Sequence, residues 1–529
     1  MVIDPRTPLL IGVGQCVDHW DGGDAKTAPD PSSLRLKAAL AALADCGVGE
    51  AVAGAIDRVI VVRTMLDSVA GTPHPFGRCA NPPGTLAQGL GISAAAMIYS
   101  GVGGDQPQAL VNEAAEAIFA GEADMVLIAG AEATAAMKLA LKQHMALDWS
   151  ASARGEMLDR GLGSEYLSTY ERSNGLGPPT QTYPAFEHAL RARLGLSRKE
   201  HVALMSELWA GFSNVAATNP YAQFPQARSA DFLATPSRDN YPVADPYLKW
   251  HVAQDAVNQG AAVVLTSVSR ATELGIDRAK WVYLHGYSAV ADRPVTERED
   301  LSRSQAIAGA LELALQAAGK TTADIALFDL YSCFPCAVLL GAEALRLDWR
   351  TTPATVTGGL PFFGGPGNNY SMHAIATMVE RLRVKPDEFG LVLANGGFLS
   401  KEAVGIYSTT PKAGWAPVSS AQIQQEIDEA PAPRLLSQST EAVIETYTVT
   451  SKRGRPSRGF VVANAADGRI LARVRTGDQA TLAALQASDP IGRRVRIVNE
   501  QGINLIEQVD FREGVATAAQ NRKSDWSGS

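Results

Sequence analysis

Cys333 and Cys336 stand where an apolar strand-like run, Ile325–Leu330, gives way to a helical one, Phe334–Leu347. A thiol at a helix start gains from the dipole there, which favours the thiolate, so Cys333 has the placement of a nucleophile. The two-residue gap to Cys336 is also that of a redox pair. Against both stands a small buried cysteine that only packs. His373 sits within the next helical run, as an acid–base group or as a helix-packing histidine. Asn368, Asn369 and Tyr370 precede that helix and would either donate to an oxyanion or cap the helix. Asn395 comes before Gly396 and Gly397 and would line a pocket or shape a turn.

The elements that must hold these groups repeat. Gly101 to Glu132 reads GVGGDQPQALVNEAAEAIFAGEADMVLIAGAE. The pattern predicts a glycine turn, then an amphipathic helix carrying Leu110, Ala114 and Ile118, then a strand over Met125–Ala129. Gly121 closes the helix, as the preference for glycine after a helix end predicts. Phe363 to Gly397, FGGPGNNYSMHAIATMVERLRVKPDEFGLVLANGG, has the same order of turn, helix and strand. A glycine turn that aims free N–H groups at a helix start suits an anion or a nucleophile. Two such units predict a duplicated α/β domain with both turns on one shared face.

A chain of 529 residues is too long for one ordinary core, and 46% hydrophobic content is that of a globular protein. No apolar run reaches membrane-spanning length, and the start lacks the basic and apolar segments of a signal peptide. Five cysteines, an odd number, fit a cytoplasmic protein without a disulfide scaffold. The eight histidines do not cluster with cysteines or carboxylates at ligand spacing, so no metal is expected. No Walker-type loop occurs. The net charge of −8 leaves no overall nucleic-acid footprint.

Along the chain, alternating strands and helices predict a largely parallel sheet over residues 1–275, interrupted at 135–247 by a helical excursion of the kind that covers a site. The helix over Ser32–Asp45 would be capped by Ser32 or Ser33. Residues 276–410 form the second half and 411–440 a linker. Residues 441–529 read as a small β domain, most economically an OB-like barrel, with a polar tail over Thr517–Ser529. Its basic residues, Lys452, Arg453, Arg455, Arg458, Arg493, Arg494 and Arg496, are a solvated face or a site for phosphates. Aromatics there are few, which argues against single-stranded nucleic acid as a partner.

From Pro5 to Thr410 the chain resembles the thiolase superfamily, and within it the sterol-carrier-type branch with an extra C-terminal domain. The stretches that carry the likeness are YPAFEHALR (Tyr183–Arg191), AATNPYAQFP (Ala216–Pro225), NQGAAVVLTS (Asn258–Ser267) and GGPGNNYSMHA (Gly364–Ala374). The likeness implies α/β/α/β/α layers and an acyltransferase of the acetyl-CoA acetyltransferase kind. It also implies a nucleophilic cysteine at a helix start, an activating histidine and two oxyanion holes. This sequence departs from that pattern. Gly103 falls where the nucleophile belongs and Gly365 where the histidine belongs. The oxyanion loop reads Tyr331-Ser332-Cys333-Phe334, and the late cysteine loop Ala394-Asn395-Gly396-Gly397.

Two functions follow as expectations. One is a thiolase-fold protein of lipid metabolism that binds CoA or acyl-CoA, any chemistry resting on Cys333, His373 and Asn395. The other is a non-catalytic acyl-CoA or lipid carrier. Under both, Gly364, Gly365, Gly396, Gly397 and Asn368 are the expected ligand contacts, and no covalent cofactor is expected. The resemblance implies a homodimer, while the extra domain leaves a monomer open.

Overall fold

The computed structural model describes residues 3–163 and 166–511; the tail expected over Thr517–Ser529 lies outside the described residues. In the first half run β1 (Pro8–Val17), β2 (Arg58–Val61), β3 (Ala96–Tyr99), β4 (Met125–Ala133) and β5 (Leu158–Asp159). The excursion adds the short β6 (Pro242–Ala244) and β7 (Tyr247–Leu248), and β8 (Asn258–Ser267) returns to the sheet. The second half holds β9 (Val282–Ala291), β10 (Leu327–Leu330), β11 (Phe389–Gly396) and β12 (Lys401–Ser408).

The duplication is visible in the strand order. The first half is ordered β3-β2-β4-β8-β1, with β8 antiparallel to both its neighbours. The second is ordered β10-β11-β12-β9, with β12 antiparallel to both of its neighbours. The place of β3 in the second half is taken by an irregular segment, whose Ala354 carbonyl accepts from the Leu330 N–H at 2.9 Å and whose Val356 and Thr357 N–H groups donate to Asp329. The half-sheets pair edge to edge where Leu9 faces Tyr283 and Leu10 faces Val282.

The layers are those the resemblance implies. Helices Gln106–Ala120 and Tyr370–Val384 form the middle layer and share one core with apolar residues from both half-sheets. Helix Pro31–Asp45 covers the outer face of the first half, and helices Gln305–Ala318 and Pro335–Leu345 that of the second. The cap of helix Pro31–Asp45 is Asp30, not Ser32 or Ser33: its carboxylate accepts from the N–H groups of both serines. Pro31 takes the first helical position, which its fixed φ suits, so the cap moves to the residue before it.

Both halves use a glycine to bring the first strand against its outer helix. A Cβ on Gly14 of β1 would lie 2.2 Å from the Ala38 carbonyl oxygen, and one on Gly286 of β9 would lie 2.2 Å from that of Ala314. The obstacle is helix backbone, which cannot swing away. Gly286→Val is expected to cost about 3 kcal/mol or more, read as a lower urea midpoint with the m-value kept.

Between residues 135 and 247, helices such as Pro179–Arg193 and Arg198–Ala216 alternate with loops and the short β5, β6 and β7. The chain after the second half forms β13 (Thr440–Lys452), β14 (Arg455–Ala465), β15 (Gly468–Arg473), β16 (Arg494–Glu500) and β17 (Ile503–Asp510). They close in the order β13-β14-β15-β17-β16, with β16 returning to β13, and helix Gln479–Ala487 lies between β15 and β16 in sequence. This is the OB-like barrel; β17 and that helix were not legible as elements. The barrel is docked, not tethered. β6 adds to β13 at Thr450, His188 stacks on Tyr447 with centroids 4.1 Å apart, and Arg191 pairs with Asp489 at 2.8 Å. Tyr447 and Phe460 are buried, so neither offers a face to a nucleic-acid base. Lys452, Arg453, Arg455, Arg458, Arg494 and Arg496 are exposed, and Arg493 is half-buried.

Among the described residues no single helix is long and apolar enough to cross a membrane. β5 pairs with the outer edge of β3, so that edge is covered by the same chain.

Candidate functional site

The two glycine turns meet. The Gly103 N–H donates to Asn368 Oδ1 at 3.2 Å, and Ser371 Oγ donates to the Gly104 carbonyl at 2.7 Å. A Cβ on Gly104 would lie 2.5 Å from the Asn395 carbonyl oxygen and 2.1 Å from the Tyr331 hydroxyl. A Cβ on Gly396 would lie 2.1 Å from Asp105 Oδ1. The two helix starts, the end of β11 and the loop after β10 therefore converge on one spot. Glycine is required there because two backbones, the first glycine turn and the end of β11, approach within a methyl's width.

Asn368 neither caps its helix nor has a free donor. Its amide donates to the Arg63 carbonyl at 2.8 Å and to Ser68 Oγ at 2.9 Å, so it fastens the loop after β2 to the first glycine turn. Asn369 precedes helix Tyr370–Val384 without capping it, and both its amide atoms are buried without partners. Asp105 stands before helix Gln106–Ala120 in helical conformation, and its side chain caps nothing. It is buried with Oδ1 unpartnered beside Gly103, and burial pushes its carboxyl up to about 6.

Cys333 joins this group. Its sulfur lies 3.8 Å from Asn395 Nδ2, and the same amide donates to the Tyr183 hydroxyl at 3.1 Å. Tyr183 in turn donates to the Gly397 carbonyl at 3.2 Å and stacks on Phe334 at 4.1 Å. The expected help from the helix start does not arrive. Glu187 occupies that end, with Oε2 accepting from the Cys336 N–H at 2.8 Å. The packing around the Cys333 sulfur pushes its thiol up to about 12, with Glu402 adding to the shift. Cys336 is shifted upward too, by burial and then by the Glu187 charge. Neither cysteine is a thiolate at neutral pH. Alkylation of Cys333 by iodoacetamide at pH 8, followed by mass spectrometry, is expected to run about a thousandfold slower than that of free cysteine.

His373 is turned elsewhere. Its Nδ1 lies 2.9 Å from Gln15 Oε1 on β1, its ring packs on Phe363 at 5.0 Å, and Nε2 is buried without a partner. Burial holds its pKa down at about 3, so it is neutral. Gly364 packs against Gln259 and Val257, and the Gly365 N–H donates to the Gln254 carbonyl at 2.8 Å. The second glycine turn thus rests on the segment leading into β8. Cys333 and Asn395 come together with Gly103, Gly396 and Gly397, whereas the polar and ring partners of His373 among the described residues are Gln15 and Phe363.

Four residues of the site were not anticipated. Tyr166 donates to the Val102 carbonyl at 2.5 Å, and Glu402, opposite Asn395 in the β11–β12 pair, is buried with both oxygens unpartnered. Tyr183 and Glu187 lie four apart within YPAFEHALR, on one face of a helix, and that spacing of polar groups in a buried stretch was the available signal.

A sequence profile described as the thiolase-like protein type 1 additional C-terminal domain matches residues 422–502. The crystal structure of a monomeric SCP2-thiolase like protein type 1 (STLP1) from Mycobacterium smegmatis is 38% identical. The match covers 96% of this chain and 99% of that one with a TM-score of 0.82. The chain belongs to the SCP2-thiolase-like protein type 1 family. Wider thiolases share the STLP1 fold over less of it. The dimeric peroxisomal thiolase of Saccharomyces cerevisiae is 15% identical over 77% of this chain and 98% of its own, with a TM-score of 0.54. Human mitochondrial 3-ketoacyl-CoA thiolase is 16% identical over 77% and 100%, also at 0.54. The chain has no match among curated protein sequences.

Proposed function

We propose that this STLP1-family chain binds CoA or acyl-CoA thioesters of lipid metabolism at the convergence of its glycine turns and does not perform ordinary thiolysis. One observation carries the reading. Where the nucleophile loop reaches that spot it offers Gly103 and a carboxyl, and the nearest thiol, Cys333, is held protonated. Glycine has no group to accept an acyl chain, and a neutral His373 bound to Gln15 is not placed to activate one. We also propose that the chain is a monomer, as the M. smegmatis relative is described; the covered edge of β3 supports this.

A second reading rests on Asp105. A carboxyl with a pKa of about 6 and a free oxygen beside Gly103 is suited to moving a proton at the carbon next to a thioester carbonyl. Titration calorimetry with CoA, acetyl-CoA and octanoyl-CoA tests the ligand, and acetoacetyl-CoA cleavage tests the chemistry. Saturable heat with no cleavage is the expected pair of results. Absence of heat with all three removes the ligand, and cleavage lost in C333A removes the claim of no thiolysis. Exchange of acetyl-CoA protons in deuterated buffer that disappears in D105N would establish the second reading.

A further inference from the structure

A second set of unsatisfied groups lies away from Cys333 and Asn395. Arg35, in the first turns of helix Pro31–Asp45, is only 1% exposed. Its Nε and Nη1 are buried with no hydrogen-bond partner, and among the described residues no carboxylate lies within ion-pair distance of it. A guanidinium does not give up its proton inside a protein, so it cannot escape the cost of burial by neutralising. An isolated buried charge is among the most expensive features a fold can carry.

Arg35 lines a cavity of about 40 Å³ with Thr64, Asp67, His74, Arg78 and Cys79. That is room for about three waters, or for one carboxylate or phosphate group. The acidic groups present do not answer Arg35. Asp67 is already engaged by the Tyr99 hydroxyl at 2.6 Å, Arg78 at 2.7 Å and His74 at 3.4 Å. Glu132 accepts the Met65 N–H at 2.7 Å, and burial pushes it up to about 8, so it holds its proton near neutrality. The Arg35 charge acts on Glu132 only at longer range, and among the described residues no acidic group of the cavity is bonded to its guanidinium. The helix start is not the attraction, because Asp30 already takes the N–H groups of Ser32 and Ser33.

We propose that this cavity binds a small oxyanion, a carboxylate or a phosphate, held by the buried Arg35 guanidinium, with exposed Arg78 at the mouth. Glu132 reaches Gly367, so the cavity backs onto the second glycine turn, but it contains none of the groups around Gly103 and stands independently of the thioester reading.

Calorimetry of the full chain with inorganic phosphate, acetate and chloride at matched ionic strength tests this. Saturable heat is expected with phosphate or acetate and not with chloride; whichever binds names the class. Arg35→Met is expected to weaken that binding at least tenfold. Equal heats for all three salts, or undiminished binding in R35M, would overturn the proposal. Should R35M fold poorly, Cys79 reports on the wild-type protein. Its alkylation, followed by mass spectrometry, is expected to slow at least fivefold under saturating oxyanion and not under chloride. An unchanged rate in every salt would equally overturn the site.

Discussion

Glu187→Ala should lose about 3–5 kcal/mol of stability, the largest effect expected of any single side chain away from a glycine. Glu187 and His201 are both fully buried and lie 2.6 Å apart. The other carboxylate oxygen accepts from the Tyr247 hydroxyl at 2.7 Å and from the Cys336 N–H at 2.8 Å. The one side chain therefore joins two helices of the excursion, the short β7 and the start of helix Pro335–Leu345. Removing it leaves His201, a phenol and a helix N–H unanswered in a dry interior, and each carries its own desolvation cost. Burial alone would raise the Glu187 pKa. The hydrogen bond and charge of His201, with Tyr247 and the Cys336 amide, outweigh it and hold the group below its usual value of 4.5. A lowered folded-state value gives stability that is complete above 4.5 and is lost as the pH falls through the folded value. Urea unfolding of E187Q and wild type should thus differ most at pH 7 and converge as the pH falls through the folded value. A constant difference across that range would contradict the assignment.

The sequence carried the duplication because both halves obey the same local rules. Gly121 ends its helix with φ of 77°, and apolar spacing marked the helices of the middle layer. β17 and helix Gln479–Ala487 were missed because the strand alternates polar with apolar weakly and the helix buries only Leu482 and Leu485. At the site, the convergence of the turns was legible from the repeat itself. The state of Cys333 was not. A helix start reads as favourable to a thiolate until one knows that Glu187, 146 positions away in sequence from Cys333 (333 − 187), already fills it. His373 likewise stands near the glycine turn in sequence, yet its partner is Gln15. Long-range polar partners decide both cases, and no local pattern encodes them.

Gly103→Cys, which puts a thiol where the thiolase resemblance places one, is expected to destabilise the chain by about 2–5 kcal/mol and to create no thiolysis. Gly103 has φ of 144°, a conformation costly for any side chain. Its new Cβ would also lie 1.9 Å from Asp105 Oδ1 and 3.1 Å from the Tyr166 hydroxyl. The first cost is backbone and stays; the second is side chain and can be removed. G103C/D105A should therefore regain about half of the lost stability in urea unfolding. It should still fail to cleave acetoacetyl-CoA, because no histidine is placed to take the thiol proton while His373 remains bonded to Gln15. A G103C chain as stable as wild type would show that the turn relaxes freely. Turnover by either variant would show that an activating base reaches Gly103 after all, and with it that the scaffold needs only its sulfur back.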